Sequence, residues 1–293
     1  MPHQLLIAIL DGIEEGSVYG LMAAGLTLVV GVLDIINIAQ GALVILGAYL
    51  SYALSVYLHV NLFLGLLITV PALFGLGMLI NWAVLQRLRP RDRVLMSVVA
   101  TFGVALLIQG ILSAVFGTNY VQLHAAYIEQ SFQILGVYVP YIYFFGFLLA
   151  AGVMALLAVF LYRTRFGTSI RAFMQNRRGA ELIGINGEAV TMVAFSIGVA
   201  VTAVGGMFFG AVNTFTPNSG NDLISRLLTV VILGGMGSIW GALGAAIAML
   251  TLENLVSIFW SPAWADGSFY LVLILLLLLR PRGLAGRSLA TLE

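Results

Sequence analysis

The sequence predicts an all-α, polytopic helical membrane protein with about eight hydrophobic segments, some of them broken or re-entrant. Composition is the first indication: 61% of the 293 residues are hydrophobic and 9% are charged, whereas soluble domains have about 45–50% and 25%. The mean hydropathy of +1.07 agrees. The second indication is segment length, because about 20 apolar residues cross roughly 30 Å of hydrocarbon. This composition excludes a soluble enzyme, a nucleic-acid-binding protein and a disordered scaffold.

We expect one transmembrane domain over residues 1–293. Its apolar segments are 18–36, 39–57, 62–85, 94–116, 141–161, 190–213, 227–259 and 268–280. The seventh is too long for one untilted crossing, and the last is short for a full one.

Residues 1–16 are predicted to form an amphipathic helix at the membrane surface. They lack the cationic start of a secretory signal, and acids follow the short apolar run that ends at Leu10. The alternative is that they extend the first span.

Orientation follows from arginine. The chain has no Lys, and 12 of its 13 cationic residues lie in three clusters, at 87–93, 163–178 and 280–287. Cytoplasmic loops are enriched in such residues, so all three clusters are expected in the cytoplasm and the N-terminus outside. The number of crossings agrees only if one segment forms a hairpin. We expect this of the glycine-rich seventh segment, and the alternative is the short last one.

Two polar or glycine-rich interruptions mark the expected breaks. One contains Asp34, Asn37, Gln40 and Gly41, and the other contains Gly234, Gly235, Gly237 and Ser238. Polar side chains at membrane depth are costly unless they face a cavity or a partner, and paired breaks often mark a transport site. The alternative for the first is an interfacial loop.

The segment 163–187 is longer and more polar than a simple connection requires. Phe166, Ile170 and Phe173 recur at helical spacing, which predicts a short amphipathic helix. It suits docking to a soluble partner or, equally, lying on anionic lipid.

Four motifs resemble those of the branched-chain amino-acid ABC importer permeases. They are GLTLVVGVLDIINIAQGALVILGAYL (25–50), RAFMQNRRGAELIGIN (171–186), VVILGGMGSIWGALGA (230–245) and RPRGLAG (280–286). Gln40 and Trp240 stand where that family usually has His and Pro. Trp240 is expected to pack against a neighbouring helix rather than narrow a path.

The resemblance implies a permease subunit that works with a second homologous permease, two ABC ATPases and an extracytoplasmic substrate-binding protein in the bacterial inner membrane, without nucleic acid. It implies a translocation path at Asp34, Asn37, Gln40, Gly41, Gly234, Gly235, Gly237 and Ser238. It implies ATPase coupling at Arg171, Ala172, Asn176, Ala180, Glu181, Gly184, Ile185 and Asn186. Relatives in this family also carry urea and short amides.

We expect no catalytic, cofactor or metal site in this chain. Without Lys it has no P-loop lysine, so ATP would be hydrolysed by partner subunits. The rival from another class is an ion-coupled secondary transporter, which needs a titratable cluster in the bundle. Asp34 and Glu253 are the acids available for it, and Glu253 could instead pair with Arg226.

Overall fold

The structure is a computed structural model, and it describes residues 2–88, 93–125, 128, 130–134 and 137–279. Arg89, Arg91 and the predicted motif at 280–286 lie outside the described residues. Eleven α-helices are present in the described part of the chain. They are α1 (Pro2–Leu33), α2 (Gln40–Leu58), α3 (Leu62–Ala83), α4 (Arg93–Phe116), α5 (Tyr141–Arg163), α6 (Arg165–Gln175), α7 (Arg177–Leu182), α8 (Gly187–Val212), α9 (Gly220–Gly234), α10 (Ile239–Phe259) and α11 (Pro262–Leu279).

Eight of the described helices are long and apolar enough to cross a membrane, as the sequence predicts: α1 to α5, α8, α10 and α11. The last segment is longer than expected, because α11 begins at Pro262 and has 18 residues. One small departure from an all-α chain is an antiparallel hairpin, in which β1 (Ser131–Ile134) pairs with β2 (Val137–Pro140).

Helices α1 and α8 form the centre of the bundle. Within the most apolar stretch of each, 83% of the α1 residues and 78% of the α8 residues are buried, against 12% for α11. The large residues with almost no exposure include Leu21, Met22 and Phe195, which lie on these two helices. The remaining helices therefore pack around an α1–α8 core.

The prediction of a separate surface helix at residues 1–16 is wrong. Residues 2–33 form one helix, and its first half packs along α10. A Cβ on Gly16 would lie 2.6 Å from the Cα of Ile247, and one on Gly20 would lie 2.6 Å from Leu243. Small residues spaced by four let two helices approach closely, so this glycine stripe holds the N-terminal half inside the bundle.

Both predicted breaks are present. Helix α1 ends at Leu33 and α2 begins at Gln40, with residues 34–39 irregular between them. The long seventh segment is two helices, α9 and α10, separated by residues 235–238. Helix α9 has 15 residues, so its length of about 22 Å is less than the hydrocarbon thickness.

Candidate functional site

The first break is closed by two buried amides. The Asn37 Nδ2 donates to the Gln40 Oε1 at 3.0 Å, and the Gln40 Nε2 donates to the Gly198 carbonyl at 3.1 Å. Both side chains have no exposed surface. Gly198 lies in α8, and α8 contacts α1 at Gly25. A Cβ on Gly25 would lie 2.8 Å from the Gly198 carbonyl oxygen. Asn37 and Gln40 therefore tie the break to a close contact between α1 and α8.

Helix α4 supplies a partner for the irregular backbone. The Ile38 N–H donates to the Thr101 Oγ1 at 3.1 Å, while that hydroxyl donates to the Ser97 carbonyl at 2.8 Å. Unpaired backbone groups are costly away from water, so Thr101 stabilises the break. Sequence reasoning missed Thr101, because a single Thr in an apolar segment gives no signal of a distant partner.

Asp34 lies apart from Asn37 and Gln40. It is exposed and has a φ of 53°, and its N–H donates to the Val30 carbonyl at 3.0 Å, which ends α1. The structure therefore divides the predicted polar cluster into an exposed helix end and a buried amide pair.

The second break is a tight turn with two glycines in left-handed geometry, Gly235 at φ 89° and Gly237 at φ 85°. Side chains rarely adopt this conformation. The Ser238 Oγ then accepts from the Gly241 N–H at 3.1 Å and caps the start of α10. Ser238 thus has a local structural role in this conformation.

Helix α9 connects the two breaks. At its first residue, a Cβ on Gly220 would lie 2.9 Å from the backbone nitrogen of Ala42 in α2. At its last residue, a Cβ on Gly234 would lie 2.5 Å from the backbone nitrogen of Ala242 in α10. Backbone packs on backbone at both ends, so a shift of α9 must be felt at the starts of α2 and α10.

Trp240 departs from its expected packing. It is 54% exposed in this chain, so it is not buried against a neighbouring helix of the described structure. Glu253 does pair with Arg226, at 3.0 Å, as anticipated.

The predicted docking segment folds as two short helices. In α6 and α7, Ile170, Phe173 and Ala180 are buried, as the amphipathic spacing predicts. Asn176 and Asn186 act as helix caps: the Asn176 Oδ1 accepts from the Gly179 N–H at 2.9 Å, and the Asn186 Oδ1 accepts from the Ala189 N–H at 3.1 Å.

Charged side chains lie on the solvent-facing side of the docking segment. Arg177 pairs with Glu181 at 3.4 Å, and both side chains are more than 40% exposed. Arg171 stacks over Tyr162 with its guanidinium carbon 5.0 Å from the ring centre. Ala172 and Ile185 are half-buried, and Gly184 is exposed. The predicted coupling residues therefore lie on one continuous segment.

Two exposed apolar residues lie between the predicted coupling residues Glu181 and Gly184. Leu182 is 88% exposed and Ile183 is 77% exposed, at the end of α7. Exposed apolar groups outside the spanning helices often mark an interaction site. Neither residue is among the predicted site residues, because sequence spacing alone does not show which apolar side chains face outward.

Met174 links the docking segment to both breaks. A Cβ on Gly31, in the last turn of α1, would lie 2.5 Å from the Met174 Cε and 3.1 Å from the Cα of Gly237. A Cβ on Gly237 would lie 3.9 Å from the same methyl group. The side chain of α6 thus reaches the place where the end of α1 meets the turn before α10.

The sequence profile of the family described as branched-chain amino acid transport system / permease component matches residues 8–278. The chain belongs to this family. This permease is 27% identical to the high-affinity branched-chain amino acid transport system permease protein LivH of Escherichia coli K12, over 94% of both chains. It is 28% identical to the corresponding protein BraD of Pseudomonas aeruginosa, over 97% of both chains.

Other similarities are narrower. The autoinducer 2 import system permease protein LsrC of Escherichia coli K12 / DH10B is 30% identical, over 83% of this chain and 70% of that protein. Among solved structures, PsaBC from Streptococcus pneumoniae in complex with Fab is similar over 90% of both chains, at 12% identity and a TM-score of 0.47. That score is too low to bear on the fold.

Proposed function

We propose that this permease imports branched-chain amino acids through the membrane as one of two permease subunits of an ATP-driven transporter. The family match over residues 8–278 carries the proposal, and the relatives named for branched-chain amino acids support it over nearly their whole length. Substrate arrives on an extracytoplasmic binding protein, and ATP is bound and hydrolysed by two separate ATPase subunits.

The docking segment at 163–187 contacts the ATPases from the cytoplasmic side of the bacterial inner membrane. Its exposed Leu182 and Ile183 fill an apolar depression on the ATPase, and the exposed Arg177–Glu181 pair lies beside them. The arginine clusters favour this orientation of the chain. Glu181, Gly184 and the neighbouring predicted residues then hold the segment in register.

The translocation path passes the two breaks. In this proposal the hydrogen bonds of Asn37 and Gln40 to each other and to the Gly198 carbonyl hold the path closed. A movement of α6 acts through Met174 on Gly31 and Gly237, and α9 carries the change between Gly41 and Gly234. Opening then moves α1 away from α8 at the Gly25–Gly198 contact next to Gln40.

The cargo is tested by uptake into right-side-out membrane vesicles that contain the complex and its binding protein. Inside-out vesicles serve as the control. Radiolabelled L-leucine should accumulate only with ATP inside right-side-out vesicles, and unlabelled L-valine and L-isoleucine should compete. Urea should not compete. Uptake that follows a proton gradient without ATP, or competition by urea and not by L-valine, would contradict the proposal.

A further inference from the structure

A cavity of about 350 Å³ lies between α1, α8, α9 and α10. Phe208, Phe209, Val212, Asn213 and Thr214 contribute to it, so it lies near the C-terminal end of α8. These residues are roughly 30 Å along the helix axis from Gly187, where the docking segment ends. The cavity is therefore at the opposite end of the bundle from the docking segment. Its volume is at the lower end of small-ligand pockets, about 300–1,000 Å³.

One side of the cavity is charged. Arg226 and Glu253 form an ion pair at 3.0 Å, with side-chain exposures of 22% and 14%. Asp222 lies one helical turn before Arg226 and is exposed, and Glu15 of α1 completes this side. Three carboxylates thus face one guanidinium, so the cavity has an excess of negative charge.

The rest of the lining is largely apolar. Val18, Met22, Phe208, Leu223 and Leu250 contribute to it, and three of them lie one helical turn from a charged residue on the same helix. All five are at most 5% exposed. Ionisable groups beside a cavity inside a membrane protein commonly mark a substrate route, and here they share the cavity with buried apolar side chains.

The cavity ends just above the closed crossing of the core. Met22 packs into the space left by Gly205 of α8. Gly25 meets Gly198 less than one turn further along α1, where Gln40 holds the carbonyl. The cavity therefore lies next to the α1–α8 contact that Gln40 adjoins.

We infer that this cavity binds one zwitterionic amino acid with a small aliphatic side chain, before the path below it opens. Arg226 takes the carboxylate, and the surrounding carboxylates of Asp222, Glu15 and Glu253 take the ammonium group. The aliphatic side chain lies against Val18 and Leu223. This inference rests on the proposed function and deepens it: the excess of carboxylates selects cargo that has an ammonium group.

Site-specific labelling tests the inference, because the chain has no Cys. Val212→Cys introduces a thiol in the half-buried cavity lining, and Ser225→Cys introduces one on an exposed position of α9 outside the cavity. The complete purified complex is treated with a small methanethiosulfonate reagent, and labelling of this chain is followed by intact mass. L-leucine at about ten times its dissociation constant should slow labelling at residue 212 about tenfold, since only the empty cavity reacts.

The results of this labelling experiment separate failure of the cavity assignment from failure of the proposed permease function. L-leucine should protect residue 212 and leave residue 225 unprotected, and 4-methylpentanoate, which lacks the ammonium group, should protect neither. If vesicles that contain the same complex import L-leucine while labelling at residue 212 is unchanged by it, the cavity is not the binding site although the permease function stands. If L-leucine is neither imported nor protective, both fall.

A charge variant tests the assignment of the ammonium group. Asp222→Asn should raise the L-leucine concentration for half-protection by about tenfold, because one charged partner is lost. Asp222 is exposed, so folding should be retained. Glu188→Gln removes an exposed carboxylate at the other end of α8 and should leave half-protection unchanged. Equal values for both variants and the unaltered protein would overturn the role of Asp222 and the charge selection.

Discussion

At the scale of single residues, one absent methyl group sets the contact between α2 and α9. A Cβ on Gly41 would overlap the Gly220 carbonyl oxygen and lie 2.9 Å from the Ile224 nitrogen. Neither neighbour is the end of a flexible side chain, so the space must come from moving a helix. Gly41 is therefore required for the position of α9.

Gly41→Ala should destabilise the permease by about 1–3 kcal/mol through overpacking and should reduce L-leucine uptake. Thermal unfolding of the purified complex and vesicle uptake measure these effects. Gly75→Ala is the matched control, because a Cβ on Gly75 in α3 would meet nothing within 4 Å. Equal unfolding and uptake for the two variants would contradict the close α2–α9 contact.

Gln40 makes the buried hydrogen bonds at the first break that we propose close the path. Gln40→Ala removes its amide from Asn37 and from the Gly198 carbonyl. It leaves buried groups unpaired, each at a cost of about 1–3 kcal/mol. We expect lower thermal stability and faster leak of L-leucine in the absence of ATP. Gln133→Ala, at an exposed position of β1, is the control, and an unaltered leak in the Gln40 variant would show that this pair does not close the path.

At the scale of secondary-structure elements, the docking segment and the breaks are joined through one side chain. Met174→Ala removes the methyl group that meets Gly31 and approaches Gly237. We expect ATP hydrolysis to continue while L-leucine uptake falls several-fold. The measurement is the number of L-leucine molecules imported per ATP hydrolysed.

Met192→Ala, a half-buried methionine near the start of α8, controls for the loss of side-chain volume. An unchanged ratio in the Met174 variant would contradict the link from α6 to the breaks. A parallel fall of uptake and hydrolysis would place the effect in ATPase binding instead.

The end of α7 permits a separate test of docking. Leu182→Asp with Ile183→Asp should abolish L-leucine uptake and co-purification of the ATPase, because charge replaces two exposed apolar groups. Membrane levels of the permease should be retained, since exposed substitutions usually change stability by less than about 0.5 kcal/mol. Leu182→Met with Ile183→Leu keeps the apolar surface and should retain uptake. Normal uptake in the aspartate variant would exclude docking through these residues.

The sequence predicts the positions of the breaks well but not their connections. Asn37, Gln40 and the glycines at 234–237 are costly inside an apolar segment unless the helix ends there, so local composition is informative. The contact of Gly41 with Gly220 joins residues far apart in the chain, and no local pattern indicates it. Met174 was missed for the same reason, since a methionine in an amphipathic helix is ordinarily packing.

At the N-terminus, local composition led to a wrong prediction. Glu14 and Glu15 favoured a surface helix, yet Glu14 is 9% exposed and Glu15 lies beside Tyr143 of α5. Acidic residues can enter a bundle when a partner and a polar cavity receive them. That partner lies on another helix, so composition alone gave the wrong location.

At the scale of the whole molecule, the arrangement is a central α1–α8 pair with two breaks beside it. The docking segment lies at the N-terminal end of α8. The cavity lined by charged and apolar residues lies at the C-terminal end of the same helix. Exposed apolar residues on the outer helices, such as Leu107 and Leu278, suit contact with lipid or with a second permease. An importer needs both ends of this arrangement to be occupied by partners.

The central claim is that this chain is a permease subunit of an ATP-driven importer. Its most direct test is purification of the tagged chain from its own membranes in mild detergent, with the co-purifying proteins identified and quantified by mass spectrometry. The account predicts two ATPase copies and one further homologous permease for each copy of this chain. A folded chain that purifies alone, and transports L-leucine without ATPase subunits, would contradict it.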